Sequence, residues 1–318
     1  MGRPRPARRA DRSVQARSLF PGPGGTLVIM IGIAAALVTA TPATLNRDLA
    51  AARGGDVVRL APGKYSDLVV QNKRWSPAVT IDAREADVTT VKIYSSDGIK
   101  LVGGVLRPLP SGPLWQPAVL VMKSQNIDFQ DSIFAGTERS GRGLMVREST
   151  NVSVSGATFQ YLHTGVQFLD STGGGVSQSR FKLMRSDGIN IAASHKITVD
   201  RIECSDFAPV EPDHPDCVQL WSIKGKPPTS DIVIKDSKAI GAMQGFTGFN
   251  PNDGGYDRIT VTGNLVRSSY PQGIALYKAR DSLISGNEVD TLPGSKWRTR
   301  IRADPETRVS KNREGAHK

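Results

Sequence analysis

The sequence predicts an all-β solenoid, a chain wound into stacked coils of short strands. Three observations carry this. A polar residue, a β-branched alternation, a turn residue and an apolar position recur in that order eight times, at Ile99, Ile127, Val152, Gly174, Ile197, Ile232, Ile259 and Ser282. The steps between them run from 22 to 35 residues, the size of a unit that buries its apolar face only against a neighbour of the same kind. A second column, at Gly143, Gly165, Gly188, Cys217, Gly245 and Gly273, opens an alternation of its own in register with the first, and no helix-length pattern separates the two.

The chain has 318 residues and a formal charge of +11. Residues 1–40 hold six Arg against one Asp and residues 293–318 hold eight Lys and Arg against three acids, leaving 27 cations and 26 anions between them. The body is therefore nearly neutral, which excludes a basic nucleic-acid-binding surface as its main feature. An Arg-bearing start, the apolar run Leu27–Val38 and the small residues Val38-Thr39-Ala40 read as a secretory signal over 1–40. The run is shorter than the roughly 20 residues of a comfortable bilayer span, so the mature chain is expected to be exported, periplasmic or secreted, without a stable membrane span. The solenoid is expected over 41–292 as a monomer, and 293–318 as a mobile basic tail.

At the start of the body, the amphipathic stretch Leu45–Ala52 precedes Gly55-Asp56-Val57-Val58-Arg59-Leu60-Ala61-Pro62-Gly63-Lys64-Tyr65. This resembles the opening of right-handed parallel β-helix proteins of the pectate-lyase-like superfamily, in which a short helix caps the first coil. The resemblance spans about residues 42–292 and implies a single-stranded right-handed parallel β-helix. The superfamily contains uronan lyases, polygalacturonase-type hydrolases, uronan epimerases and phage depolymerases, so the fold alone selects no activity.

Departures from regular coiling mark where more than stacking is built. The turn between Cys204 and Cys217 holds 12 residues and concentrates Asp206, Glu211, Asp213, His214 and Asp216. Two further insertions follow, Ile223–Pro228 and Asn250–Gly255. Strand alternation turns Asn190, Gln219 and Thr247 outward beside them, with Trp221, Phe249 and Tyr277 as an outward aromatic row able to stack on sugar rings.

Asp187 and Asp216 occupy the same position in successive coils, so their carboxyls are expected about one strand spacing apart, too close for both to ionise freely. Their setting resembles the Asp-Gly-Ile-Asp and Asp-Asp-Cys elements of polygalacturonases, which implies hydrolysis. However, Pro215 replaces one family Asp, and the later His-Gly and Arg-Ile-Lys elements have no counterpart. His214, between Asp213 and Pro215, resembles a scrambled Asp-Pro-His-Asp element of uronan epimerases. Proton abstraction beside a uronate carboxyl needs a base and a cation, and His214, Lys224, Arg185 and Tyr277 are the candidates, with His163 behind them.

Asp206, Glu211 and Asp213 are candidate calcium ligands by composition, while His163, His195, His214 and His317 lack zinc spacing. Cys204 and Cys217 lie in different columns and are expected as two free thiols. The leading reading is a lyase acting on an anionic, uronate-containing polysaccharide. A hydrolase using Asp187 and Asp216 and a non-catalytic glycan-binding solenoid stand as alternatives.

Overall fold

The computed structural model describes residues 14–15, 32–33, 35–137, 140–248 and 254–315. Its body is a parallel β solenoid. One face is a 12-stranded sheet running from Leu37–Ala40 to Thr307–Ser310; the other two faces join in a network of 19 strands. The helix Leu45–Ala51 turns Leu45 and Leu49 onto the open end of the core, where strand edges and apolar side chains would otherwise meet water. Among the described residues, no helix is long and apolar enough to cross a membrane.

Polar ladders hold the turns in line. The backbone N–H groups of Ser96, Ser124, Ser149 and Ser171 donate to the hydroxyls of Ser124, Ser149, Ser171 and Ser194 in the following coils, at 3.1–3.2 Å. Buried turn amides that no strand partner reaches are thereby satisfied. On a second edge, Ser237, Asn264 and Asn287 donate to the Oδ1 atoms of Asn264, Asn287 and Asn312 at 2.9 Å. Inside, Phe134, Phe159 and Phe181 stack at centroid distances of 4.3 and 4.7 Å. The glycines facing that stack have no room for a side chain: a Cβ on Gly143 would lie 2.5 Å from the Gly165 carbonyl and 2.8 Å from Phe159, and one on Gly165 2.5 Å from the Gly188 carbonyl and 2.6 Å from Phe181.

Three expectations are corrected. Cys204 and Cys217 form a disulfide, with Cα atoms 5.7 Å apart. Cys204 follows Phe181 in the aromatic column, and the next residue in that column is Ala239, small enough to leave room for a side chain where the facing column otherwise needs glycine. Two thiols in adjacent inward columns of one coil therefore meet. Leu37–Ala40 is a strand paired with Val57–Leu60, so the coil begins ahead of Thr41 and the small residues read as a cleavage site belong to it. Asp56 fastens this entry by accepting from the Ala36 and Arg53 amides at 2.8 and 2.9 Å.

Finally, the segment read as a tail adds strands Arg300–Ala303, Thr307–Ser310 and Arg313–Glu314 to the three faces. Its Arg-Ile-Arg-Ala alternation packs Ile301 and Ala303 against the core and turns the arginines out, which is why composition alone disguised it.

The disulfide closes the inserted acidic loop at its feet. Closing a loop of this size contributes about 3 kcal/mol. Replacing both cysteines by alanine is expected to lower the unfolding free energy by about that amount in a urea titration, with the far-ultraviolet β spectrum retained.

Candidate functional site

Register brings the candidate residues onto one face. Arg142, Thr164, Asp187, Asp216 and Gln244 follow one another on neighbouring strands, and three residues further along each strand stand Met145, Gln167, Asn190, Gln219 and Thr247. A cleft of about 340 Å³ opens on this face. One wall is charged and polar: Arg142, His163, Thr164, Ser186 and Asp187. Gln167 and Asn190 form the floor, and Leu169, Ala192, Trp221 and Ile223 form an apolar wall opposite. Thr247 and Ala275, which continue the floor column, are buried, so the open part lies toward the N-terminal coils.

Asp187 is buried but lines the cleft. Its Oδ1 accepts from the Asp216 amide at 3.2 Å and its Oδ2 from Asn190 Nδ2 at 3.4 Å. Burial pushes its carboxyl up to about 7, against the pull of those two donors. Asp216 is 0 % exposed; Oδ1 accepts from Thr247 Oγ1 at 2.5 Å, and Oδ2 has no hydrogen-bond partner among the described residues. Burial and the neighbouring Asp187 charge hold it well above the usual carboxylate range. Asp216 lies the deeper of the two, and Asp187, which lines the cleft, is the member of the pair that a bound molecule reaches.

The acidic loop works differently from its sequence reading. Asp213 Oδ2 accepts from Arg185 Nε at 2.5 Å, and Asp213 Oδ1 lies 3.5 Å from His163 Nε2. Arg185 and Asp213 are thus each other's partners and jointly brace His163, whose Nδ1 is 2.9 Å from Thr164 Oγ1. Burial lowers the His163 pKa below its ordinary value, with Arg185 and Arg142 acting in the same direction and Asp213 opposing. Arg142 Nη1 donates to Gln167 Oε1 at 2.8 Å, and its buried Nε has no partner among the described residues.

The other candidates fall outside the cleft. His214 is exposed and does not line it, nor do Lys224 and Tyr277. Asp206 and Glu211 are exposed on the loop, and among the described residues no group of three or more His, Cys, Asp or Glu side chains converges as a metal site requires; Asp213 is turned to Arg185 instead. Phe249 lies outside the described residues. Trp221, 44 % exposed, forms part of the apolar wall and donates Nε1–H to Gln219 Oε1. Arg142 was not singled out in the sequence. It sits in the same strand column as Asp187, two coils earlier, and following that column would have found it.

The family described as right handed beta helix region matches residues 117–289. The chain belongs to that family. Similar folds include a polygalacturonase from Erwinia carotovora ssp. carotovora, at 13 % identity and a TM-score of 0.52, covering 86 % of this chain and 93 % of that one. An endo-xylogalacturonan hydrolase from Aspergillus tubingensis has 11 % identity and a TM-score of 0.59 over 87 % and 93 %. A pectate lyase has 12 % identity and a TM-score of 0.52 over 84 % and 78 %. At these identities the likeness is one of fold. No curated protein is similar to the chain in sequence.

The raised Asp187 carboxyl makes stability pH-dependent with a definite sign. An acid whose folded pKa lies above its unfolded value of about 3.9 adds stability below that value and loses it as pH rises toward about 7. Asp187→Asn removes this loss, so the variant is expected to exceed wild type by roughly 2–4 kcal/mol at pH 8 relative to the difference at pH 4, by chemical denaturation at both.

Proposed function

We propose that the protein is an exported lyase that cleaves a uronate-containing polysaccharide by β-elimination. One observation carries the reading: a single cleft holds a half-buried guanidinium, an imidazole whose pKa burial lowers and a carboxyl kept protonated to about pH 7. Groups whose environments drive their pKa values apart in this way suit paired acid and base roles.

Arg142 binds the uronate carboxylate and stabilises the charge that develops on it when the adjacent C5–H bond breaks. His163 takes the C5 proton. Asp213 holds Nε2–H, which leaves the Nδ1 lone pair on the Thr164 side as the base. The C5–H electrons form the C4–C5 double bond, the C4–O4 bond breaks, and Asp187 gives its proton to the departing O4. Asn190, between Asp187 and Gln219, fixes the direction of that proton.

Two-carboxylate hydrolysis fits less well. It needs carboxyls on opposite sides of the scissile bond, about 5 Å apart or more, whereas Asp216 lies wholly buried beside Asp187. The disulfide is consistent with an oxidising compartment and so with export.

With a panel of uronans, ultraviolet-absorbing unsaturated ends and reducing ends are expected to appear in a 1:1 ratio; reducing ends without absorbance would identify a hydrolase, and binding without either a glycan-binding solenoid. The rate is expected to be bell-shaped in pH, rising as His163 loses its proton below pH 6.5 and falling as Asp187 loses its own near 7. His163→Ala and Asp187→Asn should each lower kcat by about 10²–10⁴. Asp216→Asn, which mimics a protonated carboxyl, should retain the alkaline limb near 7; loss of that limb would reverse the assignment of the two acids.

A further inference from the structure

Three amides stand in a row along the cleft floor, and their neighbours decide which way each one faces. Gln167, Asn190 and Gln219 are in register on successive strands of one face, about 4.8 Å apart. The first two line the cleft, and Gln219 is half-buried beside Asn190. Gln167 Oε1 accepts from Arg142 Nη1 at 2.8 Å, and Gln219 Oε1 accepts from Trp221 Nε1 and, at 3.3 Å, from Asn190 Nδ2. Guanidinium and indole nitrogens only donate, so each glutamine turns its oxygen to them and its NH2 group elsewhere. Asn190 Nδ2 is turned to Gln219 Oε1 and, at 3.4 Å, to Asp187 Oδ2, which leaves its Oδ1 as an acceptor. Among the described residues neither glutamine NH2 group has an acceptor, and Asn190 Oδ1 has no donor.

From Arg142 onward the floor therefore offers a donor, an acceptor and a donor, one per strand. Arg142, Gln167, Asn190 and Trp221 come from four successive strands of this face, so the cleft they line runs along the solenoid axis. An extended 1,4-linked uronan advances by nearly one strand spacing per unit. In its two-fold ribbon successive units turn over, so one edge of the chain shows a carboxylate, then ring hydroxyls, then a carboxylate. A carboxylate only accepts and a hydroxyl can donate, which matches the floor position for position.

We propose that the cleft binds a uronan ribbon in this register. The carboxylate held by Arg142 also accepts from the Gln167 NH2 group, the next unit donates a free ring hydroxyl to Asn190 Oδ1, and the unit after that places its carboxylate on the Gln219 NH2 group. Gln219 is thereby a specificity-determining residue, selecting a second uronate two units from the first. Trp221 serves it by holding the carboxamide the right way round. The inference rests on the cleft being the polysaccharide site, but not on elimination being its chemistry.

Isothermal titration of the full chain tests it with the di- and trisaccharides of β-1,4-mannuronate and of β-1,4-glucuronate, in a His163→Ala background so that no turnover occurs. For at least one of the two sugars the trisaccharide is expected to bind about tenfold more tightly than the disaccharide, the size of one charge-assisted hydrogen bond. Gln219→Glu keeps the acceptor for Asn190 and Trp221 but sets a charge against the third unit, and should bring that ratio to about one or below. Gln219→Leu removes the donors without adding charge and should bring it to about one; the variant whose Tm matches the parent is the one that decides. Equal binding of both lengths, no binding of either trisaccharide, or a ratio that survives in the folded variant would overturn the proposal. A length step without ultraviolet-absorbing products from the polymer overturns the elimination reading alone, and such products without a length step overturn the register alone.

Discussion

Everything in this molecule depends on parallel strands in fixed register. Each coil is hydrogen-bonded to the one before and the one after, so a residue's place along its strand decides which column it joins, and the column decides whether it meets water or core. The Phe134–Phe159–Phe181 stack, the glycines facing it and the serine ladder at the turns are three results of one constraint. A one-residue slip would turn the phenylalanines outward and break the ladder together, so these features define the register jointly.

The same constraint builds the chemistry. Asp187 and Asp216 are buried because two coils stack, the first still reaching the cleft, and they are close to one another because stacked coils repeat. Burial raises both carboxyls and the Asp187 charge raises Asp216 further, and it is burial that brings the Asp187 pKa near neutrality in a surface cleft. The inserted loop then supplies what a regular coil cannot. Asp213 arrives from outside the column system to tie Arg185 and brace His163. Rigid columns set the distances, and one irregular loop sets an orientation.

Much of this was legible in the sequence because register leaves a period. The coil columns, the pairing of Asp187 with Asp216 and the outward direction of Asn190, Gln219 and Trp221 all follow from alternation and repeat length. Legibility ended where the period was hidden or absent. The last coil alternates arginine with Ile301 and Ala303, so its charge concealed its strand, although Asn312 continues the ladder from Asn264 and Asn287. Inside the acidic loop no period exists, so sequence ranked His214 above His163; the structure leaves the former in solvent and holds the latter between Asp213 and Thr164. Side-chain pairings in an irregular loop are three-dimensional facts. The disulfide was nearer to being readable, since both cysteines occupy inward columns of one coil and Ala239 makes the space.

That disulfide has a further meaning for how such a protein can change. Cys204 and Cys217 join the coil at the two points where the loop leaves and re-enters, so the strands on either side are bound to each other whatever the intervening residues are. The loop is in effect a cassette on a closed frame. Its length and composition can drift, or be replaced by design, with the cost confined to the loop itself. New pairings for the cleft can then be tried on a scaffold that does not have to be solved again each time.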